Sequence, residues 1–471
     1  MNMEHTDIPL TDAAATRELV RTRQVSPVEV VRRALDRAAE VDLKLNIFVT
    51  LTEELALDAA RSAERAILRD EPLGPLAGVP ITVKDNLNIE GIPTTSGSKI
   101  LKDNIAGADS PAVARAKAAG ACILGKTTLP EFATKGVGDS PLTGISRNPW
   151  DVTKTPGGSS AGGAAGTAAG VSPLALVTDG GGSARLPASF CGVLGLKPQF
   201  GRIPYVPISA TPSMSHVGII SNSVADAALM LNVLAGGDLR DPAAIPGAHT
   251  PIGELADTKG LRIAWSPTLG FASPNPEVLE AVQRAVRVFA DELGCEVDEV
   301  EAPFLDPSPI WESEFLAGAG AKLAPLVEAH GAVMDPAVVA QLAQGRAQTL
   351  DEYFTKVAER YAFRERVRAL FEDYDLLITP TLPVTAFDVG HNTPPGLDDV
   401  DAADLLGWIK YLSAFNVTGN PAASVPCGFS ALGLPIGMQI VGRAFEEETV
   451  LRAAARFEAV RPWASRRAPV S

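Results

Sequence analysis

The six residues Thr178-Asp179-Gly180-Gly181-Gly182-Ser183 follow directly on the apolar run Leu174-Ala175-Leu176-Val177, and their types suit acyl-transfer chemistry. Three successive glycines let the backbone enter conformations closed to other residues, so consecutive N–H groups can converge on one point as an anion-binding nest. Ser183 stands at the end of that nest. A nucleophile there would find its own N–H and its neighbours' N–H groups within reach of the oxyanion of a tetrahedral intermediate. A tight glycine-rich turn capped by a serine fits the same residues. A serine hydroxyl also needs a base, and no local signal places a histidine beside it. Lysine serves when burial penalises its ammonium form and lowers its pKa. Lys84 is the leading candidate because it directly follows Val79, Ile81 and Val83, which alternate as a strand does. A lysine at a strand end is by itself more often a solvated charge.

The elements around these residues read as alternating helices and strands. Ser26-Pro27-Val28-Glu29 is a capping box with proline at the first helical position, and Val30, Val31, Ala34, Leu35 and Ala38 follow at helical spacing. Helices are also predicted over roughly 52–68, 110–119, 162–169, 223–234 and 275–293. Strands are predicted at 79–83, 122–124, 174–177, 261–264, 376–378, 422–425 and 436–441. The segment from Thr155 to Gly195 is rich in glycine but interrupted by an apolar run, so it is a small-residue helix, a buried strand and a turn rather than a flexible linker. The alternation favours one α/β layered domain over 1–471 with a largely buried sheet and no internal repeat.

Composition narrows the function. Apolar residues make up 46% and charged residues 21%, a globular balance. The net charge of −15 disfavours phosphate backbones and anionic membrane surfaces, so neither nucleic acid nor membrane is expected as a partner. Cys122, Cys191, Cys295 and Cys427 lie far apart without zinc-site spacing, which predicts reduced thiols, no metal and no cofactor. Met1 to Asp12 lacks the basic and apolar parts of a signal peptide, and no run of 18 apolar residues occurs, so a cytoplasmic location is expected.

Two motif matches fail on context. Gly120-Ala121-Cys122-Ile123-Leu124-Gly125-Lys126-Thr127 fits a phosphate-loop pattern, but its loop would be Cys-Ile-Leu and Leu129-Pro130 interrupts the helix it needs. Gly158-Ser159-Ser160-Ala161-Gly162 fits the nucleophile elbow of esterases, with Ser160 as nucleophile and His216 as the nearest candidate base. The polar stretch 148–156, with two prolines, cannot be the central strand an elbow follows. The elbow is nonetheless the main enzymatic rival, and a non-catalytic assembly subunit is the non-enzymatic one.

At these residues the chain resembles the amidase signature family. Gly157-Gly158-Ser159-Ser160-Ala161-Gly162-Gly163 is similar to the family's GGSSGG segment, and TDGGGSARLP, Thr178 to Pro187, to its TD-x-GGS-x-R-x-P core. Phe190-Cys191-Gly192, Gly195-Leu196-Lys197-Pro198 and the lysine-bearing Gly78 to Asp85 extend the likeness, and weaker similarity runs from about Ser26 to Gly442. The separations from Lys84 to Ser159 and from Ser159 to Ser183 match those of the family's catalytic residues. The resemblance implies a mixed, mostly parallel sheet covered by helices on both faces. Its signature core would span about 78–230 and its variable pocket region about 268–420. It further implies Ser183 as nucleophile, Ser159, on a cis peptide bond, as relay, and Lys84 as neutral base. The N–H groups of Gly180, Gly181, Gly182 and Ser183 would form the oxyanion hole, with Asp179, Arg185 and Ser160 supporting it.

Ala161, Ala184 and the segment His216 to Asn222, where Ile219 and Asn222 stand for the family's proline and arginine, depart from the family pattern without touching the three catalytic positions. Glutaminase members tend to carry an Asp upstream of Asn-x-x-Gly-x-Pro, whereas Trp408-Ile409-Lys410-Tyr411-Leu412 precedes Asn416 here with no acid. The triple glycine and Trp311, Phe315, Tyr353, Phe354, Trp408 and Tyr411 favour a broad acylamidase with an apolar or aryl pocket. Each aromatic also fits an ordinary core. Amides, anilides, esters and carbamates remain open as small-molecule substrates, as does assembly into a homodimer.

Overall fold

Apolar runs too continuous to leave one face in water demand a sheet covered on both sides, and the computed structural model has one. It describes residues 10–253, 257–396, 405–464 and 466–470, so most of the Met1–Asp12 segment lies outside the described residues. In chain order the described strands are β1 (Phe48–Leu51), β2 (Pro80–Lys84), β3 (Cys122–Thr127), β4 (Asp139–Ser140), β5 (Gly144–Ile145), β6 (Leu174–Asp179) and β7 (Leu194–Lys197). They continue with β8 (His216–Ser221), β9 (Arg262–Trp265), β10 (Glu296–Glu299), β11 (Leu376–Pro380), β12 (Ala422–Phe429) and β13 (Pro435–Gly442). Eleven of them share one sheet in the order β1-β3-β2-β6-β8-β7-β12-β13-β11-β9-β10, and β4 pairs only with β5.

The sheet is mixed. Parallel pairs occupy its flanks, β3-β2-β6 on one side and β11-β9-β10 on the other. The centre, from β6 through β8, β7, β12 and β13 to β11, is antiparallel. The flanks contain helical crossovers, such as helix Pro111–Ala118 between β2 and β3, which allow parallel pairing. Within the centre the short connection between β12 and β13 permits only antiparallel pairing of those two strands. Successive residues of one strand enter different cores: Leu376 and Ile378 join one apolar cluster and Leu377 another. Helices Pro111–Ala118, Val224–Leu234, Pro276–Asp291 and Glu447–Val460 supply the first, and Ser308–His330, Leu350–Asp373 and Lys410–Thr418 the second. Among the described residues no helix is long and apolar enough to cross a membrane.

The false phosphate loop is explained here. Cys122 to Thr127 is strand β3, buried throughout, and Lys126 forms a buried ion pair with Asp85 at 2.8 Å.

An acidic cluster on the first face makes the fold sensitive to pH. Asp226 receives the N–H groups of Ala13 and Ala14 at the start of helix Ala13–Arg21. Burial raises Asp226 to about 6, and burial together with the charges of Asp226 and Asp12 raises Glu458 to about 7. Both folded values exceed the ordinary carboxyl range, so between about pH 4 and 7 the folded chain holds protons that the unfolded chain has released. Stability on this account is present at the acid end and falls as pH rises through the window. Glu458→Gln keeps an acceptor for the Val224 N–H, which Glu458 binds at 3.1 Å. The variant is expected to be more stable than the parent by about 1–2 kcal/mol at pH 8 and equal to it near pH 4.5, as read by thermal unfolding at the two pH values.

Candidate active site

β2 and β6 are parallel neighbours, with Val83 paired to Leu176, so both chains leave the sheet at the same edge. β2 delivers Lys84 there, and β6 delivers Asp179 and the glycine nest. Helix Ala161–Ala168 is part of the crossover from β3 to β6, which puts its N-terminus, and hence Ser159 and Ser160, over the same edge. The carboxyl edge of parallel strands is where open α/β sheets place their ligands.

Lys84 Nζ lies 2.8 Å from Ser159 Oγ, and Ser159 Oγ lies 2.9 Å from Ser183 Oγ. The Gly158–Ser159 peptide bond is cis. A Cβ on Gly158 would sit 2.3 Å from the Val137 carbonyl oxygen, so only glycine fits at that approach. Lys84 and Ser159 are buried, whereas Ser183 is half-buried and borders the cavity.

Burial drives the Lys84 pKa down to about 7, against a smaller opposing pull from Asp179. Among the described residues no carboxylate lies within ion-pair distance of it. The other buried lysines of this edge are differently placed. Lys126 has Asp85 as its counter-ion. Lys197 is held by the carbonyl oxygens of Asn420 and Pro198, at 2.5 and 3.2 Å. Lys84 is thus the lysine with a hydroxyl as its hydrogen-bond partner and no counter-ion to keep it charged.

Asp179 organises the nest. Its carboxylate accepts the N–H of Gly182 at 2.7 Å and of Ala184 at 3.1 Å, and pairs with Arg185 through two nitrogens at 3.0 and 2.9 Å. Burial alone would raise its pKa, but Arg185, Lys197 and the Asn416 amide outweigh burial and hold the carboxyl well below its ordinary range. Arg185 is anchored in turn by Asn416, Gln439 and the Leu412 carbonyl. One sequence expectation is corrected here. The Gly182 N–H is occupied by Asp179 and does not face an oxyanion, which leaves Gly180, Gly181 and Ser183 as donors with no other acceptor among the described residues.

Ser160 is buried at the start of helix Ala161–Ala168, and its hydroxyl donates to the Thr178 carbonyl at 3.3 Å. It ties the helix to β6. The ring nitrogens of His216 meet Lys197 Nζ at 3.2 Å and the Asp179 backbone oxygen at 3.3 Å rather than either serine hydroxyl. His216 is therefore not placed to serve the elbow arrangement as its base.

The cavity next to Ser183 has a volume of about 390 Å³. Trp311, Phe315, Ala319, Leu323 and Leu326, from one face of helix Ser308–His330, make an apolar wall, joined by Leu406 and Ile409. Asn86, Tyr205, Ser209, Thr211 and Ser215 face it from the core segments. Of the six aromatics singled out from sequence, Trp311 and Phe315 line the cavity. Trp408 stacks on Phe190 in the core, Tyr411 donates to the Pro267 carbonyl at 2.6 Å, Phe354 is 58% exposed on helix Leu350–Asp373, and Tyr353 is half-buried edge-on to Phe354 on the same helix. Asn416, Gln439 and Tyr205 were not found as site residues from sequence. A glutamine inside the apolar strand Pro435–Gly442 was the available signal for Gln439. Among the described residues no group of three or more His, Cys, Asp or Glu is arranged to hold a metal ion.

The amidase family model matches residues 29–451. An acylamidase of Rhodococcus erythropolis is 37% identical over 459 residues, covering 95% of both chains. A glutamyl-tRNA(Gln) amidotransferase subunit of Moorella thermoacetica is 36% identical over 476 residues, covering 94% of both. Among solved structures, a bacterial aryl acylamidase of the amidase signature family superposes with a TM-score of 0.90 at 31% identity, covering 97% of this chain and 98% of that one.

Proposed function

Since the chain belongs to the amidase signature family and is a hydrolase of amide C–N bonds, we propose that it cleaves aryl and aliphatic amides, and carbamates, through an acyl-enzyme on Ser183. The observation that carries this reading is the unbroken chain from Lys84 through Ser159 to Ser183, which opens on a cavity with an apolar wall. Neutral Lys84 draws a proton from Ser159 while Ser159 takes one from Ser183, so no free alkoxide forms before attack on the carbonyl carbon. The oxyanion is met by N–H groups of Gly180, Gly181 and Ser183, already aimed and therefore stabilising without reorganisation. Lys84 then returns its proton through Ser159 to the leaving nitrogen, which cannot depart as an amide anion. Water enters by the same relay and releases the acid.

The acylamidase relatives support an aryl or alkyl acyl group against Trp311 and Phe315. A role within an amidotransferase is less well supported, because the segment Trp408 to Leu412 holds no acid for a substrate amino group and the net charge of −15 opposes tRNA. We place the enzyme in the cytoplasm, acting on small molecules without nucleic acid or membrane, with a homodimer compatible with this role.

A panel of purified-enzyme assays tests the reading. Nitroanilide, simple amide and urethane are each expected to be turned over, the urethane with release of carbon dioxide, alcohol and amine together. Turnover of esters alone, or ammonia release from glutamine exceeding anilide cleavage, would overturn it.

A further inference from the structure

We infer that Trp311, on helix Ser308–His330, is a positioning residue that aims the oxyanion-binding N–H of Gly181, an inference that rests on Ser183 being the nucleophile. The Trp311 indole N–H donates to the Gly180 carbonyl oxygen at 2.9 Å. In a planar trans peptide the C=O and N–H point in opposite directions, so pinning the Gly180 oxygen fixes the direction of the Gly181 N–H. The next peptide unit is pinned from the other side, where Gly182 N–H donates to Asp179 at 2.7 Å. Two adjacent units are thus held by two different elements, one from the signature core and one from the variable region. Glycine peptides rotate freely without such pins.

Packing enforces the same arrangement. A Cβ on Gly181 would lie 2.4 Å from Trp311 Cζ2, so the six-membered ring rests directly on the Gly181 α-carbon. The indole is only 2% exposed and stacks on Phe315 with centroids 4.7 Å apart. Both rings line the cavity. The surface that receives the substrate's apolar group is therefore the surface that orients the oxyanion donor.

The test uses Trp311→Phe and, at the same position, replacement by benzothienylalanine, which keeps the bicyclic shape and removes only the N–H. With an anilide substrate kcat is expected to fall about tenfold or more in both variants, with KM within about twofold. Affinity for a trifluoromethyl ketone, which adds to a serine as a tetrahedral oxyanion, should weaken by the same factor, and the pH at which kcat/KM half-rises should stay where it is in the parent. Unchanged kcat and ketone affinity in the benzothienyl variant would overturn the inference, as would a rise in KM alone, which marks Trp311 as cavity wall only. A parent enzyme that forms no ketone adduct on Ser183 would instead remove the Ser183 reading, and this inference with it.

Discussion

Ser183→Ala is expected to lower kcat on a nitroanilide by about 10⁵-fold or more while leaving the melting temperature close to that of the parent. The loss is large because relay and base act only through this oxygen. With it gone, Lys84 and Ser159 have no nucleophile to activate, and what remains is binding and the nest, which together sustain a small residual rate. The fold does not depend on it, since Ser183 is half-buried and its hydroxyl has one hydrogen bond, to Ser159 at 2.9 Å. Steady-state kinetics beside a fluorophosphonate probe with peptide mapping checks both parts. The parent is expected to carry the label on Ser183 and the variant to carry none. Label on Ser160, with activity surviving in Ser183→Ala and lost in Ser160→Ala, would put the nucleophile on the other serine.

The three reacting residues were legible in the sequence because each sits where local chain chemistry changes abruptly. Lys84 ends an alternating strand, Ser159 follows two glycines, and Ser183 ends a glycine run after a buried strand. What local signals cannot convey is how a backbone donor is spent. Gly182 lies inside the same run as Gly180 and Gly181, yet Asp179 takes its N–H. That assignment depends on a carboxylate whose orientation is set by Arg185, Asn416 and Gln439, the last two more than 200 residues further along the chain. The cavity wall was legible only in its aromatics, Trp311 and Phe315, and not in Ala319, Leu323 and Leu326. Trp311, Phe315, Ala319, Leu323 and Leu326 keep helical spacing, but Gly318, Gly320 and an internal Pro325 dilute the pattern. The glycines are there for close packing: a Cβ on Gly318 would meet the Ala210 carbonyl oxygen at 2.3 Å. Cavity residues also come from 86–136 and 205–215, outside the region assigned to substrate from sequence, because loops distant in the chain meet over one sheet edge.

Lys84→Met is expected to lower kcat by about 10⁴-fold and to remove the acid limb of the pH profile. In the parent, kcat/KM should rise with pH and level off above the Lys84 value of about 7, because only the neutral amine can take the Ser159 proton. The residual rate of the variant should show no such rise. Stability is expected to move the opposite way. The folded value lies below the ordinary 10.5, so between about pH 7 and 10.5 the unfolded chain retains a proton that the folded chain has released. Parental stability on this account climbs across that window and is lowest beneath it. Methionine fills the volume of the lysine stem and has no charge to desolvate, so at pH 7 the variant is expected to be more stable by about 1–3 kcal/mol, measured by denaturant unfolding. A gain in stability joined to a loss of rate would show that the lysine is kept for its proton. A fully active methionine variant, or a parent whose rate is flat from pH 5 to 9, would show that something other than Lys84 accepts the proton from the two serines.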